Sequence, residues 1–272
     1  MNLPKIGLGT WMLKSAEASF SVIKAVKLGY RFIDTAQAYF NEKGVGDGLK
    51  EVIDTGIVKR KEIFVATKVL PLYYRQQLTY KSTLKSLKRL QLEYIDLMQI
   101  HFPAFNLGYS HKKTLSALSR LVDEGIINHL GISNFTVQHT KDAIDACDKP
   151  IFSNQVEHHP YLQQTELLEE VKNLGLKFIS YSPLARGKAL QDPTIVDIAQ
   201  RNQISTAQVC LAWIMSKGAY PIPKATSVEH IEDNFKAVNV QLPLEDIKRI
   251  DSIGKTERYV TPAIISPKEW KK

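Results

Sequence analysis

Short β-rich runs alternate with longer stretches in which apolar residues recur at helical spacing, and this alternation continues along the chain. Several of the short runs are continuously apolar, which is typical of parallel strands covered by helices on both faces. The predicted strands are Ile6–Thr10, Arg31–Thr35, Ile63–Thr67, Ile95–Ile100, His129–Ser133, Phe152–Val156, Lys177–Ser180 and Tyr220–Ile222. Eight strands of this kind indicate a parallel sheet with crossover connections.

Each predicted strand is followed by a segment whose apolar residues lie on one face of a helix. These helices are predicted at Glu17–Leu28, Val45–Ile53, Gln76–Leu90, Lys112–Val122, Val137–Ala146, Thr165–Leu174, Thr194–Arg201 and Val228–Val238. Two further helices are predicted at Ser205–Lys217, which begins with a Ser-Thr cap, and at Leu244–Ile253, which follows Pro243. The repeated strand–helix order predicts the α/β class and a (β/α)8 TIM barrel.

No linker, low-complexity block or change in composition interrupts this pattern. A barrel of this kind uses roughly 250 residues, which is nearly all of the 272-residue chain. The composition, 44% hydrophobic and 24% charged, is ordinary for a globular protein. We therefore expect residues 1–272 to form a single barrel domain.

Four polar side chains lie at or just past the downstream ends of three successive predicted strands: Asp34, Tyr39, Lys68 and His101. Taken singly, each has an ordinary explanation, as a helix cap, a residue at the edge of the core or a surface charge. Four such residues at matched strand ends are far less expected by accident. Because the carboxyl ends of barrel strands open on one face, they predict one shared active site.

Acid catalysis is the chemistry that this group favours. A phenol with a pKa of about 10 is a poor acid at neutral pH, but an adjacent cation typically lowers such a pKa by roughly 1–3. Lys68 is placed to be that cation for Tyr39, and the Asp34 carboxylate would hold the lysine charged. His101 would then orient a carbonyl group whose oxygen Tyr39 protonates.

The chain has a formal net charge of +8, and its basic residues are scattered along the sequence. Scattered charge usually belongs to solvated surface, although a positive field also attracts anionic ligands such as a dinucleotide phosphate or a sugar acid. Nucleic-acid binding favours a single basic stripe with interleaved aromatic residues, and the sequence shows none. No nucleic-acid partner is therefore predicted.

The N-terminal residues lack the basic start, apolar run and cleavage site of a signal peptide, and no stretch approaches the roughly 18 apolar residues of a membrane span. We expect a soluble, cytoplasmic protein with no membrane partner. Both cysteines, Cys147 and Cys210, lie inside helical patterns without metal-binding spacing. They are predicted to be buried free thiols, as expected in a reducing cytosol.

A series of short motifs resembles the aldo-keto reductases: GLGTW, GYRFIDTAQAY, ATK, QIH, GISNF, NQVE, YSPLARG and IPKAT, in this order. The likeness runs from Ile6 to about Asn234. Within that family the chain most resembles the short bacterial 2,5-diketogluconate reductase and methylglyoxal reductase group. The resemblance implies a (β/α)8 barrel that reduces aldehydes or ketones with NADPH, and we expect it to be a monomer.

The resemblance also assigns residues to the reaction and to the nicotinamide end of the cofactor. Asp34, Tyr39, Lys68 and His101 match the catalytic tetrad of the family, with Tyr39 as general acid. Amide and hydroxyl side chains match the positions that hold the carboxamide, and an aromatic residue matches the one that stacks on the ring. The cofactor-binding positions here are Ser133, Asn134, Gln155, Tyr181, Ser182 and Leu184.

Cofactor choice depends on the segment that resembles the site for the adenosine 2′-phosphate. Lys224, Ala225 and Thr226 match that segment, while Asn234 lies where the family contacts the adenine. The family commonly has serine at the position of Ala225 and arginine at the position of His230. A neutral histidine cannot form the bidentate phosphate contact of an arginine. NADPH is therefore predicted over NADH, with a weaker preference than in members that keep the arginine.

Trp11 and Phe102 match aromatic walls of the family's substrate pocket, beside Tyr39 and His101. The loops that would cover this pocket are short, notably Leu184–Asp192 and the C-terminal segment Val260–Lys272. The sequence thus predicts an open pocket for small or polar carbonyl compounds, such as methylglyoxal or diketo-sugar acids.

Other motifs suggest competing functions. Gly44, Gly46 and Gly48 form a glycine-rich run without the spacing of a Rossmann phosphate loop. His158 and His159 are adjacent without a carboxylate motif, so a structural or surface role is favoured and no metal is predicted. The alternatives left open are a nicotinamide-binding sensor or partner subunit with little turnover, and a metal-dependent hydrolase on the same fold.

Overall fold

A computed structural model of the chain describes residues 3–271. Eight parallel strands form one sheet in the order β1 to β8. Their bounds are β1 Leu8–Gly9, β2 Phe32–Asp34, β3 Phe64–Val69, β4 Ile95–Ile100, β5 Ile127–Ser133, β6 Ile151–Glu157, β7 Lys177–Tyr181 and β8 Tyr220–Pro221. The sheet closes on itself because Gly7 N donates to Pro221 O and Gly9 N to Pro223 O, each at 3.0 Å. The predicted (β/α)8 barrel is confirmed.

The helices follow the strands in the predicted order. They are α1 Ser15–Leu28, α2 Glu42–Asp54, α3 Gln76–Leu90, α4 His111–Asp123, α5 Val137–Asp145, α6 Thr165–Asn173, α7 Pro193–Asn202, α8 Thr206–Ser216, α9 Val228–Lys236 and α10 Leu244–Asp251. The predicted bounds are correct to within three residues. The pattern did not predict the short 3-10 turns between these elements, one of which, Gln37–Tyr39, carries Tyr39.

The first and last strands are shorter than predicted. Pro221 and Pro223 face β1 through their carbonyl groups but have no N–H to donate, so the pairing of these strands ends after a few bonds. Strand β6 is longer than predicted at its carboxyl end, because it continues to Glu157. This one-residue extension places Glu157 at the carboxyl end of the barrel.

Side-chain alternation along the strands explains why the barrel is apolar at one end and polar at the other. A small cluster fills the amino-terminal end of the barrel, and its largest members are Phe32, Phe64, Leu97 and Ile179. Two residues downstream on the same face come Asp34 and Ala66, Gln99 and Tyr181, since side chains two apart share a face. The alternation of side chains that builds the core therefore also directs polar side chains into the mouth of the barrel at the carboxyl ends of the strands.

The glycine-rich run forms the contact between α2 and its neighbouring helices. A Cβ atom at Gly44 would lie 1.9 Å from Ser15 O, and one at Gly46 would lie 2.4 Å from Arg89 O. Only glycine allows backbones to approach so closely. The glycine run thus allows α2 to pack closely against neighbouring segments.

The adjacent histidines, His158 and His159, are buried, and so is one of the two cysteines. His158 is buried and stacks on Trp213, with its Nδ1 atom 2.9 Å from Ser180 Oγ. His159 is also buried and contacts a carboxylate described below. Cys210 is buried as predicted. Cys147 is a correction, because it is only partly buried at the end of α5.

Residues 3–271 contain no group of three or more His, Cys, Asp or Glu side chains arranged to hold a metal ion. None of the helices found there combines the length and apolar character that crossing a bilayer requires.

Candidate active site

A buried ion pair lies at the floor of the barrel mouth. Lys68, in β3, donates from Nζ to Asp34 Oδ1 at 2.6 Å and to the backbone oxygen of Thr35 at 2.9 Å. Both charged side chains are about 1% exposed. The Tyr39 hydroxyl lies 3.5 Å from the same Nζ atom, at the limit of a hydrogen bond. Three of the predicted residues, from β2, the turn after it and β3, are therefore in contact.

The turn that carries Tyr39 is fixed on both sides by buried amides. Gln37 accepts from the backbone N–H of Leu70 at 2.9 Å through its side-chain oxygen. Asn41 donates to the backbone oxygens of Thr10 and Leu13 at 2.8 and 3.0 Å. These contacts join the loop after β2 to the loops after β1 and β3. The backbone of Tyr39 is consequently held in place through the residues on both sides of it.

His101 follows β4 and faces Tyr39, with their ring centroids 5.8 Å apart. Burial, assisted by the charge of Lys68, lowers the pKa of His101 to about 3. The imidazole is therefore neutral at neutral pH, and one ring nitrogen can donate a hydrogen bond to a carbonyl oxygen. This fits the orienting role predicted for His101.

Burial dominates the ionisation of the other three groups. It raises the pKa of Asp34 and lowers the pKa of Lys68, and in each case the charge of the partner opposes the shift. Burial, with the charge of Asp34 adding to it, raises the pKa of Tyr39 well above its ordinary value. The net shift of the Tyr39 pKa is thus opposite in direction to the expected lowering, because burial dominates it. Tyr39 is a phenol that keeps its proton at neutral pH and can donate it.

The predicted carboxamide-binding residues form a second hydrogen-bonded group above the ion pair. Asn134 donates to the backbone oxygen of His101 at 2.9 Å and accepts from the Tyr181 hydroxyl at 2.7 Å. Ser133 Oγ donates to the backbone oxygen of Gln155 at 2.7 Å. Strands β5, β6 and β7 are joined at their carboxyl ends by these bonds.

One contact between the two groups was not predicted. Gln155 Nε2 donates to Asp34 Oδ2 at 2.8 Å, so the two carboxylate oxygens of Asp34 are shared between Lys68 and Gln155. Gln155 is 1% exposed. The residue predicted to hold a cofactor is therefore also a direct partner of the catalytic carboxylate.

A cavity of about 440 Å³ opens above these groups. The predicted site residues that line it are Trp11, Asp34, Tyr39, His101, Phe102, Ser133, Asn134, Gln155, Tyr181, Ser182 and Lys224. Lys68 lies beneath its floor. A second cavity of about 350 Å³ adjoins it, and Leu184 lines that one together with Trp11, Ser182 and Lys224.

The C-terminal segment forms a wall of the larger cavity. Val260, Pro262 and Ile265 line it, as do Leu70 and Pro71 on the opposite loop. The sequence predicted this segment as a short pocket loop but did not identify which of its residues line the cavity. These wall residues were missed because the segment has no helical or strand period.

The residues predicted to hold the adenosine end follow β8. Lys224, Thr226 and His230 are exposed, and Ser227 Oγ caps α9 by accepting from the backbone N–H of His230 at 3.2 Å. Ala225 and Asn234 are each 4% exposed, so these two side chains offer little surface to a ligand. The structure therefore groups Lys224, Thr226 and His230 at the surface and places the other two beneath them.

Arg186 is a further charged residue that the sequence did not single out within YSPLARG. Its guanidinium carbon lies over the Trp11 ring, 4.8 Å from the ring centroid, and both residues line the second cavity. The backbone around it is in the left-handed region, with φ of 50° at Ala185 and 53° at Arg186. An arginine next to a predicted cofactor segment was the signal that could have identified it.

Comparisons with known proteins agree with this geometry. A family model described as the aldo/keto reductase family matches residues 5–255. Methylglyoxal reductase DkgB of Escherichia coli O157:H7 is 40% identical over 271 residues, covering 99% of this chain and 100% of that protein.

Two solved structures are similar over nearly the full length. A putative 2,5-diketo-D-gluconic acid reductase B superposes with a TM-score of 0.92 at 32% identity, covering 98% of this chain and 94% of the other. A Bombyx mori aldo-keto reductase in complex with NADP superposes with a TM-score of 0.88 at 29% identity, covering 99% and 93%.

Proposed function

The chain belongs to the aldo/keto reductase family and reduces carbonyl groups to alcohols, and from this premise we propose that it is an NADPH-dependent reductase of small polar aldehydes and ketones. The observation that carries the proposal is the contact of Tyr39, Lys68 and Asp34 at the floor of a cavity whose edge His101 forms.

The proposed roles follow from the ionisation of these groups. Neutral His101 donates a hydrogen bond to the substrate carbonyl oxygen and holds it near the Tyr39 hydroxyl. As the carbonyl carbon is reduced, its oxygen gains negative charge, and Tyr39 transfers its proton to that oxygen. Lys68, kept charged by Asp34, stabilises the tyrosinate that remains. The product is the alcohol.

The residues of the cavity fit a nicotinamide cofactor. Ser133, Asn134 and Gln155 present hydroxyl and amide groups at one level, which matches the donors and acceptors of a carboxamide. Tyr181 lines the cavity beside them and offers a flat ring for stacking. A bound NADPH would supply the hydride from its nicotinamide C4. Holding that carbon close to the substrate carbonyl is the contribution of these side chains.

The adenosine end supports NADP(H). Lys224 lies where the two cavities meet, and its exposed ammonium group has the charge that a 2′-phosphate requires. The N-terminus of α9 and the Thr226 hydroxyl lie in the same exposed stretch. Arg186 adds a second cation to the lining of the adjoining cavity, where it could pair with a pyrophosphate.

The substrate class is proposed from the relatives and from the cavity. The curated relative named above is called a methylglyoxal reductase, and a structural neighbour is called a putative diketogluconic acid reductase. Space in a cavity of about 440 Å³ has to accommodate both the reactive end of a cofactor and the substrate. We infer that small dicarbonyls and sugar acids are the compounds reduced.

A substrate panel tests this proposal. Consumption of NADPH is followed at 340 nm with methylglyoxal, glyoxal, diketo-sugar acids, aromatic aldehydes and simple ketones. We expect the highest kcat/KM with the small dicarbonyls or the sugar acids. Activity confined to aromatic aldehydes would contradict the substrate class. An absence of turnover on every carbonyl, with NADPH still bound, would favour the sensor or partner-subunit alternative.

Cofactor choice gives a second prediction. His230→Arg adds a guanidinium at the exposed first turn of α9, where it can pair with a 2′-phosphate. A charge-assisted hydrogen bond is worth roughly 1.5–3 kcal/mol, so the Kd for NADPH should fall about tenfold or more. NADH lacks the phosphate and is the internal control, so its Kd should stay unchanged. Equal tightening of both cofactors would contradict the assignment of this segment.

The remaining expectations concern the cell. A cytoplasmic location and a monomeric state stay predictions, as does the absence of a nucleic-acid partner. Sedimentation of the purified protein measures the oligomeric state directly.

A further inference from the structure

A buried carboxylate of the barrel binds two backbone N–H groups of the C-terminal segment. Glu157 is the last residue of β6, and its side chain is 0% exposed. Its Oε1 atom accepts from the backbone N–H of Tyr259 at 2.7 Å, and its Oε2 atom accepts from the backbone N–H of Val260 at 3.0 Å. Hydrogen bonds to an ionised acceptor are about twice as strong as neutral ones. Two of them on consecutive residues fix this part of the segment.

Neighbouring side chains extend the attachment. His159 Nε2 lies 3.1 Å from Glu157 Oε1, and the His159 ring packs against Tyr259 with centroids 5.4 Å apart. The Gln164 amide donates to the backbone oxygen of Glu157 and accepts from Arg258 Nη2 at 3.4 Å. The end of β6 and the loop after it therefore contact four consecutive residues of the segment, since Glu257 N also donates to Tyr161 O at 2.8 Å.

The far end of the segment is held separately. Asn106, in the loop after β4, donates to the backbone oxygen of Ile264 at 2.7 Å. Between these two attachments lie Val260 and Pro262, which line the cavity, and Ile265 follows directly. The segment has neither helix nor strand hydrogen bonds here, so its backbone position depends on the few groups that satisfy it.

We propose that Glu157 is the positioning residue of the apolar substrate wall, and that through this wall it determines how well carbonyl compounds larger than the smallest dicarbonyls are bound. The proposal rests on the carbonyl reduction argued above. Glu157 acts through Val260, Pro262 and Ile265 and does not itself line the cavity. On this proposal an aromatic aldehyde depends on the wall more than methylglyoxal does, because its ring adds apolar surface that the wall can cover.

Native-state proteolysis tests the attachment without any turnover. Trypsin cleaves after Lys255 and Arg258, next to the two N–H groups that Glu157 binds. Glu157→Gln replaces one acceptor oxygen by an NH2 group that faces a donor. Cleavage after Arg258 in the intact, folded protein should accelerate roughly tenfold or more, because that segment opens locally. Glu166→Gln makes the same change in net charge at an exposed residue of α6 and should leave the cleavage rate unchanged.

Kinetics test the consequence for the substrate. For Glu157→Gln we expect the KM for an aromatic aldehyde to rise about tenfold, since the lost hydrogen bonds to a charged acceptor correspond to at least that factor. The kcat and KM for methylglyoxal should stay within about threefold of the wild type, as should the Kd for NADPH. Val260→Ala shortens the wall but keeps the N–H group, so it should raise the aromatic KM without faster cleavage.

Either of two results overturns the proposal. Equal losses with the aromatic aldehyde and methylglyoxal would mean that Glu157 supports the fold in general. Unchanged cleavage in Glu157→Gln would mean that the carboxylate does not hold the segment. If Glu157→Gln fails to fold, Val260→Pro removes one donor and leaves the buried charge in place, and faster cleavage is again expected. A failure of the proposed activity would appear in the wild-type kinetics and leave the cleavage result readable.

Discussion

Replacing Tyr39 with phenylalanine is expected to lower kcat for every carbonyl substrate by about 100- to 10,000-fold, the range that a positioned general acid contributes. The variant keeps the ring and loses only the hydroxyl that lies 3.5 Å from Lys68 Nζ. No other hydroxyl lies near enough to that ammonium group in the described contacts to replace it. The measurement is single-turnover oxidation of bound NADPH, which separates the chemical step from product release.

Binding should be spared in the same variant. The contacts proposed for the carboxamide come from Ser133, Asn134 and Gln155, and the hydrogen bonds described above for these residues do not involve the Tyr39 hydroxyl. The Kd for NADPH, measured by fluorescence, should therefore equal that of the wild type. Tyr94→Phe is the matched control, because Tyr94 precedes β4 at the opposite end of the barrel. Wild-type turnover by Tyr39→Phe would refute its role as the acid.

Burial determines the protonation state expected for Tyr39 and His101 at neutral pH. The pKa of Tyr39 is raised well above its ordinary value, chiefly by burial and then by the charge of Asp34. In the free enzyme the proton is therefore present throughout the neutral range, and its loss should not limit binding there. His101, with a pKa of about 3, is likewise neutral above mildly acidic pH.

The sequence was sufficient to predict the barrel and the position of the reacting groups for one physical reason. Strand residues alternate between faces, so Asp34 and Lys68 at the ends of apolar strands must point into the mouth once the strands are parallel. Short strands were less predictable. Pro221 and Pro223 remove donors from the closing pair, and this effect depends on which neighbour each carbonyl meets.

The sequence patterns could not predict contacts between distant or irregular parts of the chain. Nothing in NQVE shows that Gln155 donates to Asp34, because the two residues lie 121 positions apart and the contact depends on barrel closure. The same motif contains Glu157, whose partners are backbone N–H groups of Tyr259 and Val260. Backbone donors leave no residue-type signal, so the sequence did not show how the C-terminal segment is held or which of its residues line the cavity.

The second large effect concerns the buried ion pair. Lys68→Met should lower the free energy of unfolding by about 3–5 kcal/mol, the usual result of leaving one charge of a buried pair without its partner. Asp34 is 1% exposed, and of the two side-chain donors described above, Lys68 and Gln155, it would then keep Gln155. Urea unfolding followed by circular dichroism measures this loss. Lys43→Met breaks an exposed pair with Asp47 and should cost less than about 1 kcal/mol.

The double variant Asp34→Asn with Lys68→Met separates stability from catalysis. Removing both charges takes away the unpaired carboxylate, so most of the lost free energy of unfolding should return. Activity should not return, because Tyr39 would still lack the cation that stabilises its conjugate base, and kcat should stay at least about 100-fold below the wild type. A double variant as unstable as Lys68→Met would show that the lysine stabilises the fold by packing rather than by charge. A double variant with restored activity would show that the pair is structural and that Tyr39 acts without it.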